Sequence, residues 1–321
     1  MIKTLKSNKI LISILFIVCL IIIFNPSVYA ESCLNAVSVW AFKVFPLLFP
    51  FFILTRLILS LSSIKPSFMD KFFSKAYHVP AGSFFVFFLS ILCGYPMGAK
   101  LISGLFENKQ ISQTDAKKML SFCSVSGPMF MIGTVGVAIF SSYTAGLIIF
   151  TSNLIACLIN GLIYRAQASE SKPQYLPKQN ENILADSVYD SLISILMVGA
   201  YIILSFIIID LLKETNILHV ISKSICGVFY IRPHQNIVES VLCGAVEITR
   251  GIIDLSITNI PLKLKAILSS GLIGFGGFSV MLQSISFLSK SKINLRYMAL
   301  QKITQSAISL LISIPLCLLF L

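Results

Sequence analysis

The charged residues of this chain leave six long gaps, and those gaps limit what it can fold into more than any other feature. No Asp, Glu, Lys or Arg occurs in 10–30, 76–99, 119–164, 191–209, 266–289 or 303–321. One helix crossing the hydrocarbon core of a bilayer needs about 20 apolar residues. Five gaps are long enough for one crossing each, and 119–164 is long enough for two. A transmembrane barrel would show segments of about 10 residues alternating apolar with polar. Runs such as Ile10–Phe24 and Ile303–Leu321 do not alternate, so the expected class is an all-α polytopic membrane protein. Composition agrees: 12% of the 321 residues are charged and 56% are hydrophobic, against about 25% charged in soluble domains.

The net charge of +12 sits mostly in short loops between apolar stretches. There it sets orientation, since cytoplasmic loops carry the Lys and Arg excess. The expected partners are a lipid bilayer and a small-molecule anion, with no nucleic acid; a homo-oligomer stays open. The eight cysteines form no CxxC and most lie in apolar stretches, so neither a metal site nor a disulfide framework is expected. No cofactor is expected. No Ser/His/Asp set or phosphate-binding loop stands out, and the chain does not read as an enzyme.

Lys3, Lys6 and Lys9 precede an apolar run that ends near Val28-Tyr29-Ala30. That is also the grammar of a cleavable signal peptide. A retained first span with its N-terminus in the cytoplasm is the favoured reading, because the rest of the chain is itself membrane-embedded. The divisions expected are N-terminal spans over 1–80, a first repeat over 81–164, a cytoplasmic linker over 165–189 and a second half over 190–321. About 7–9 hydrophobic segments result. Trp40 is expected at the membrane interface.

Segment 81–105 has a basic loop at either end, which predicts a re-entrant hairpin, with Gly94, Pro96 and Gly98 supplying its break. Non-helical backbone at that depth must be buried in protein or line a cavity. A second hairpin is expected near 237–256. The two align without a gap at an offset of 150: Ser90 with Ser240, Leu92 with Leu242, Cys93-Gly94 with Cys243-Gly244, Ile102 with Ile252, Leu105 with Leu255, Ala116 with Ala266 and Gly127 with Gly277. Lys100 falls on Arg250, which keeps the charge. Three spans separate the hairpins (115–139, 143–164 and 190–212), so the copies would enter from opposite sides as an inverted repeat. Each copy also carries a broken span, at Ser126-Gly127-Pro128 and at Gly274-Phe275-Gly276-Gly277. Paired interruptions of this kind point to a midplane substrate site; glycine and proline that serve only close packing or kinks are the competing reading.

The chemistry-bearing residues follow from this. Lys100, Glu247 and Arg250 lie in the hairpins, and ionisable groups at membrane depth are functional by default. Snorkelling to the interface is the alternative for Lys100 and Arg250. Glu247 and Arg250 are three apart and could neutralise each other. Gly94, Pro96, Ser124, Ser126, Gly127, Pro128, Gly276 and Gly277 could offer hydroxyl and backbone groups to a ligand.

Trp40-Ala-Phe-Lys-Val-Phe-Pro-Leu-Leu-Phe-Pro-Phe-Phe-Ile-Leu54, Cys93-Gly-Tyr-Pro-Met-Gly-Ala-Lys100, Leu120-Ser-Phe-Cys-Ser-Val-Ser-Gly-Pro128, Ile132-Gly-Thr-Val-Gly136 and Glu247-Ile-Thr-Arg-Gly251 resemble the sporulation integral membrane protein family of the YlbJ type. That family carries the nucleoside-recognition, or Gate, domain. The resemblance implies a role in endospore formation and uptake of dipicolinic acid across the outer forespore membrane. A planar dianion with near two-fold symmetry suggests one cation from each repeat, Lys100 and Arg250, as its partners. A carrier of nucleosides or other small metabolites would share the architecture, with uncharged polar contacts at the breaks. A non-transporting scaffold for spore-envelope assembly is the third class.

The expected topology puts the N-terminus and residues 62–80, 107–118 and 165–187 in the cytoplasm. A cysteine introduced at Lys172 should react with an impermeant maleimide only from the cytoplasmic side. Labelling from the opposite side would replace the re-entrant hairpins with full spans.

Overall fold

The computed structural model describes Ile12 and residues 16–61, 68–166, 182–228, 235–291 and 293–321. The beginning of the expected first span, residues 62–67 of the first expected cytoplasmic loop and residues 167–181 of the expected linker lie outside the described residues. Every regular element among the described residues is helical.

Helix α1 (Phe16–Phe24) meets the next helical run at a 97° bend. That run extends without interruption from Pro26 to Leu61: α2 (Pro26–Val39), a wide π turn (Trp40–Val44) and α3 (Phe45–Leu61). The helix begins at Pro26, which suits a first turn because no N–H is needed there. Pro46 lacks the N–H that would bond the Phe42 carbonyl, and its ring crowds that carbonyl. The wide turn lies just before it, with the Phe45 N–H bonding the Trp40 carbonyl five residues back. Trp40 packs against a later helix. Its Nε1–H donates to the Ile195 carbonyl at 3.1 Å, and its ring fills the space that a side chain at Gly199 would need.

The chain continues through α4 (Phe68–Tyr77), α5 (Ser83–Cys93), α6 (Met97–Glu107), α7 (Gln113–Cys123), a π-wound helix π2 (Met129–Ile139) and α8 (Tyr143–Ile163). After the linker come α9 (Ile183–Glu214), α10 (Ile217–Val228), α11 (Gln235–Val246), α12 (Ile248–Ser256), α13 (Leu262–Phe275), α14 (Gly277–Phe287) and α15 (Leu295–Phe320). Helix α9 starts at Ile183, six residues before the expected linker ends at 189. Side-chain caps mark other starts: Ser112 accepts from the Asp115 N–H at 3.0 Å and Ser142 from the Ala145 N–H at 3.1 Å, satisfying donors that an N-terminal turn leaves free. Shifted by 150 residues, the starts of α5, α6, α7, π2 and α8 fall within two residues of those of α11, α12, α13, α14 and α15.

Four helical stretches are long and apolar enough to cross a membrane, at Tyr143–Ile163, Ile183–Glu214, Leu262–Phe287 and Leu295–Phe320, and the bent pair around α1 and α2 would make a fifth. Their polarity is inverted relative to a soluble protein. On α9, Ser191, Ser194 and Ser205 are buried while Leu192, Ile193, Leu196 and Leu204 are exposed. Where α8, α13 and α15 meet, Ser270 Oγ lies 2.6 Å from Ser152 Oγ and 2.7 Å from Ser309 Oγ. Small polar residues at helix contacts and aliphatic residues outside are how helices pack in lipid. The chain is a polytopic helical membrane protein.

Candidate functional site

Four helix interruptions come together in the middle of the fold. The first lies between α5 and α6, at Gly94-Tyr95-Pro96. Gly94 has φ +71°, and a side chain there would collide with the backbone of Gly127. Glycine satisfies both demands at once. The second, residues 124–128, separates α7 from π2. A Cβ on Gly127 would stand 3.3 Å from the Gly94 nitrogen. The two interruptions therefore touch backbone to backbone. The second half has the same arrangement. The third break is at Glu247, whose backbone is extended between α11 and α12. The fourth is at Gly276-Gly277, with φ +85° and +68°. A Cβ on Gly277 would lie 3.2 Å from the Val246 carbonyl and 3.4 Å from that of Gly244.

A cavity, partly open to its surroundings, lies where these breaks converge. Its polar lining is Tyr95, Ser126, Glu247, Thr249, Ser279 and Gln283. Val44, Leu48, Val198 and Ile202 make an apolar wall from α2–α3 and α9. Three of the six polar residues, Glu247, Thr249 and Ser279, belong to the first turns of α12 and α14 or to the residue just before them, while Tyr95 and Ser126 stand two and three residues before the starts of α6 and π2. Of these four helix starts, α6, π2 and α14 have no side-chain cap. The fourth is capped by Glu247, which accepts the Arg250 backbone N–H at 2.7 Å and is buried.

Of the residues singled out in the sequence, Gly94, Ser126, Gly127 and Glu247 line the cavity. Pro96, Ser124, Pro128, Gly276 and Gly277 build the breaks behind it. Lys100 and Arg250 do not line it, and this corrects the expectation of a paired-cation site. Lys100 Nζ donates to Ser194 Oγ at 2.8 Å. The Arg250 guanidinium reaches Asp210 and Asp254, each at 3.4 Å, and lies over the Phe206 ring. Both cations thus rest on α9, but at positions 16 residues apart, roughly 24 Å along a helix at 1.5 Å per residue. One planar dianion cannot bridge that distance. Nor do Glu247 and Arg250 pair through their side chains: the carboxylate takes the backbone N–H, and two aspartates neutralise the guanidinium.

Sequence reasoning missed Lys302 of α15. It is 1% exposed, and its Nζ donates to Tyr95 Oη at 2.5 Å, to the Ser124 carbonyl at 2.8 Å and to Gln305 Oε1 at 2.8 Å. The available signal was its surroundings in the chain, where Gln301, Thr304 and Gln305 make one face of an otherwise apolar helix polar.

Over 331 aligned positions the chain is 28% identical to the sporulation integral membrane protein YlbJ of Bacillus subtilis (strain 168), covering 94% of this chain and 80% of that protein. The two sequences are similar over nearly the whole of this chain. No family model matches it, and no solved structure does. The break motifs that suggested the YlbJ type are the ones that build the cavity.

The contact between breaks gives a direct test. Gly94→Ala should sharply reduce the yield of folded protein, read as monodisperse material in size-exclusion chromatography. Gly104→Ala, at a helical site with nothing within 4 Å, should be neutral or stabilising by up to about 1 kcal/mol. Equal, normal yields for both would mean that the breaks do not touch.

Proposed function

We propose that this chain is a sporulation transporter of the YlbJ type that moves a small anionic metabolite, dipicolinic acid, across the outer forespore membrane. In this reading α5–α8 and α11–α15 form an inverted repeat, with α5–α6 and α11–α12 as its re-entrant hairpins. The observation that carries it is the convergence of four helix N-termini on one cavity. A helix N-terminus acts as roughly half a positive charge with N–H donors to offer; the starts of α6, π2 and α14 have no side-chain cap, whereas Glu247 already caps that of α12. Anions bind at such ends, and discontinuous helices in transporters point them at anionic substrate groups. Broken backbone at that depth is tolerated where it lines a cavity.

One observation favours a second reading. The side chains lining the cavity are uncharged except for Glu247, and the two matched cations stand elsewhere. That is the pattern expected of a carrier for nucleosides or another uncharged polar metabolite.

Uptake into proteoliposomes separates the two. The first reading expects saturable uptake of labelled dipicolinate that unlabelled nucleoside does not compete. Glu247→Gln removes the one negative charge at the cavity and keeps a cap acceptor. It should leave dipicolinate affinity unchanged or raised. A nucleoside bonded to the carboxylate would instead lose about 1.5–3 kcal/mol, roughly 10- to 100-fold in affinity. Nucleoside uptake without dipicolinate uptake would move the assignment to the second reading. In the organism, deletion of the gene should give spores low in dipicolinate with their envelope layers intact. Normal dipicolinate with a malformed envelope would favour a scaffold.

A further inference from the structure

Lys302 is a buried lysine with no carboxylate within ion-pair distance among the described residues. An isolated charge in an apolar interior is costly unless its surroundings replace water. Here the replacement is complete by count. An ammonium has three donors and no acceptor, and the Lys302 Nζ meets three neutral oxygens: a phenol, a main-chain carbonyl and a side-chain amide. Two of the three belong to helix breaks, Tyr95 to the first and Ser124 to the second. The lysine stem also passes the fourth break: a Cβ on Gly276 would be 3.2 Å from Lys302 Cε and 3.4 Å from Tyr95 Oη. The Gln305 amide is fixed in turn, its Nε2 donating to Cys157 Sγ at 2.9 Å.

Neutral oxygens gathered from unwound backbone and neighbouring side chains are the ligand set by which broken helices hold a monovalent cation. We propose that these oxygens form a monovalent-cation site and that the Lys302 ammonium is its permanent, covalently attached occupant. The breaks are then held together without a free inorganic cation. Shortening the side chain empties the site and makes it available to Na⁺ or a small primary ammonium. If the chain carries a substrate as proposed above, Na⁺ cannot be coupled to transport through this site. That corollary rests on the transporter reading; the ion-binding claim does not.

The test needs no substrate. The thermal midpoint of the purified full-length protein is measured in NaCl, KCl, choline chloride and ethylammonium chloride at equal ionic strength. The wild type should give the same midpoint in all four. Lys302→Ala should be several degrees lower in choline chloride, and NaCl or ethylammonium chloride should restore it saturably while equimolar ethanol does not. Lys302→Met, which fills the space with an uncharged chain, should respond to none of the salts. Selective stabilisation of the wild type by Na⁺ would overturn the proposal. So would recovery of Lys302→Ala by choline or ethanol to the same degree. So would failure of Lys302→Ala to fold in NaCl or ethylammonium chloride when Lys302→Met folds, because the emptied site would then hold no cation.

Discussion

Backbone that leaves a helix in the interior of a membrane protein must be covered by other protein groups, and here the breaks cover one another. Gly94 sits against Gly127, and Gly277 against the carbonyls of Gly244 and Val246. A side chain at the Gly94–Gly127 contact would push the two chains apart, and the energetic reason is steric before it is electrostatic. Once the breaks are in contact, the rest follows. The helices beginning after them start close together, and the polar groups lining the space between come from four separate segments. Lys302 adds a fixed cation behind that space, reaching the first two breaks with one side chain.

The outer parts of the fold obey a different rule. Serines and amides turn inward and aliphatic side chains turn outward, because in lipid the apolar surroundings offer no reason to bury leucine. The contact of α8, α13 and α15 through Ser152, Ser270 and Ser309 is one instance. Helix α9 is another: its inward serines include Ser194, the partner of Lys100, and its carboxylate at Asp210 receives Arg250. That helix keeps Lys100 and Arg250 occupied away from the cavity.

Much of this could be read in the sequence, because the membrane makes charge placement and helix breaking informative. The uncharged stretches located the long helices, and Gly94-Tyr95-Pro96, Ser126-Gly127-Pro128 and Gly276-Gly277 located three of the breaks. The offset of 150 residues matched Gly94 with Gly244 and Gly127 with Gly277, the four glycines at the contacts. The same offset misled for Lys100 and Arg250. Matching register says that two residues occupy equivalent places in two copies; whether those places are near each other depends on their distance from whatever axis relates the copies. Lys302 was hidden for another reason. It stands at the edge of an uncharged stretch, close after Lys290, Lys292 and Arg296, where a lysine reads as a loop cation. Only the packing of α15 against the breaks turns it inward. The uninterrupted helix from Pro26 to Leu61 was obscured by Pro46 and Pro50, since the accommodating wide turn at Trp40–Val44 leaves no mark in hydrophobic periodicity.

The position of the bound substrate bears most directly on this picture. An experimental structure of the lipid-embedded protein with dipicolinate should show the ring in the cavity bounded by Tyr95, Ser126, Thr249 and Ser279, with its carboxylates toward the starts of π2 and α14. A ligand held instead between Lys100 and Ser194, or beside Arg250 on α9, would contradict it, as would helices that run straight through residues 94–96 and 124–128.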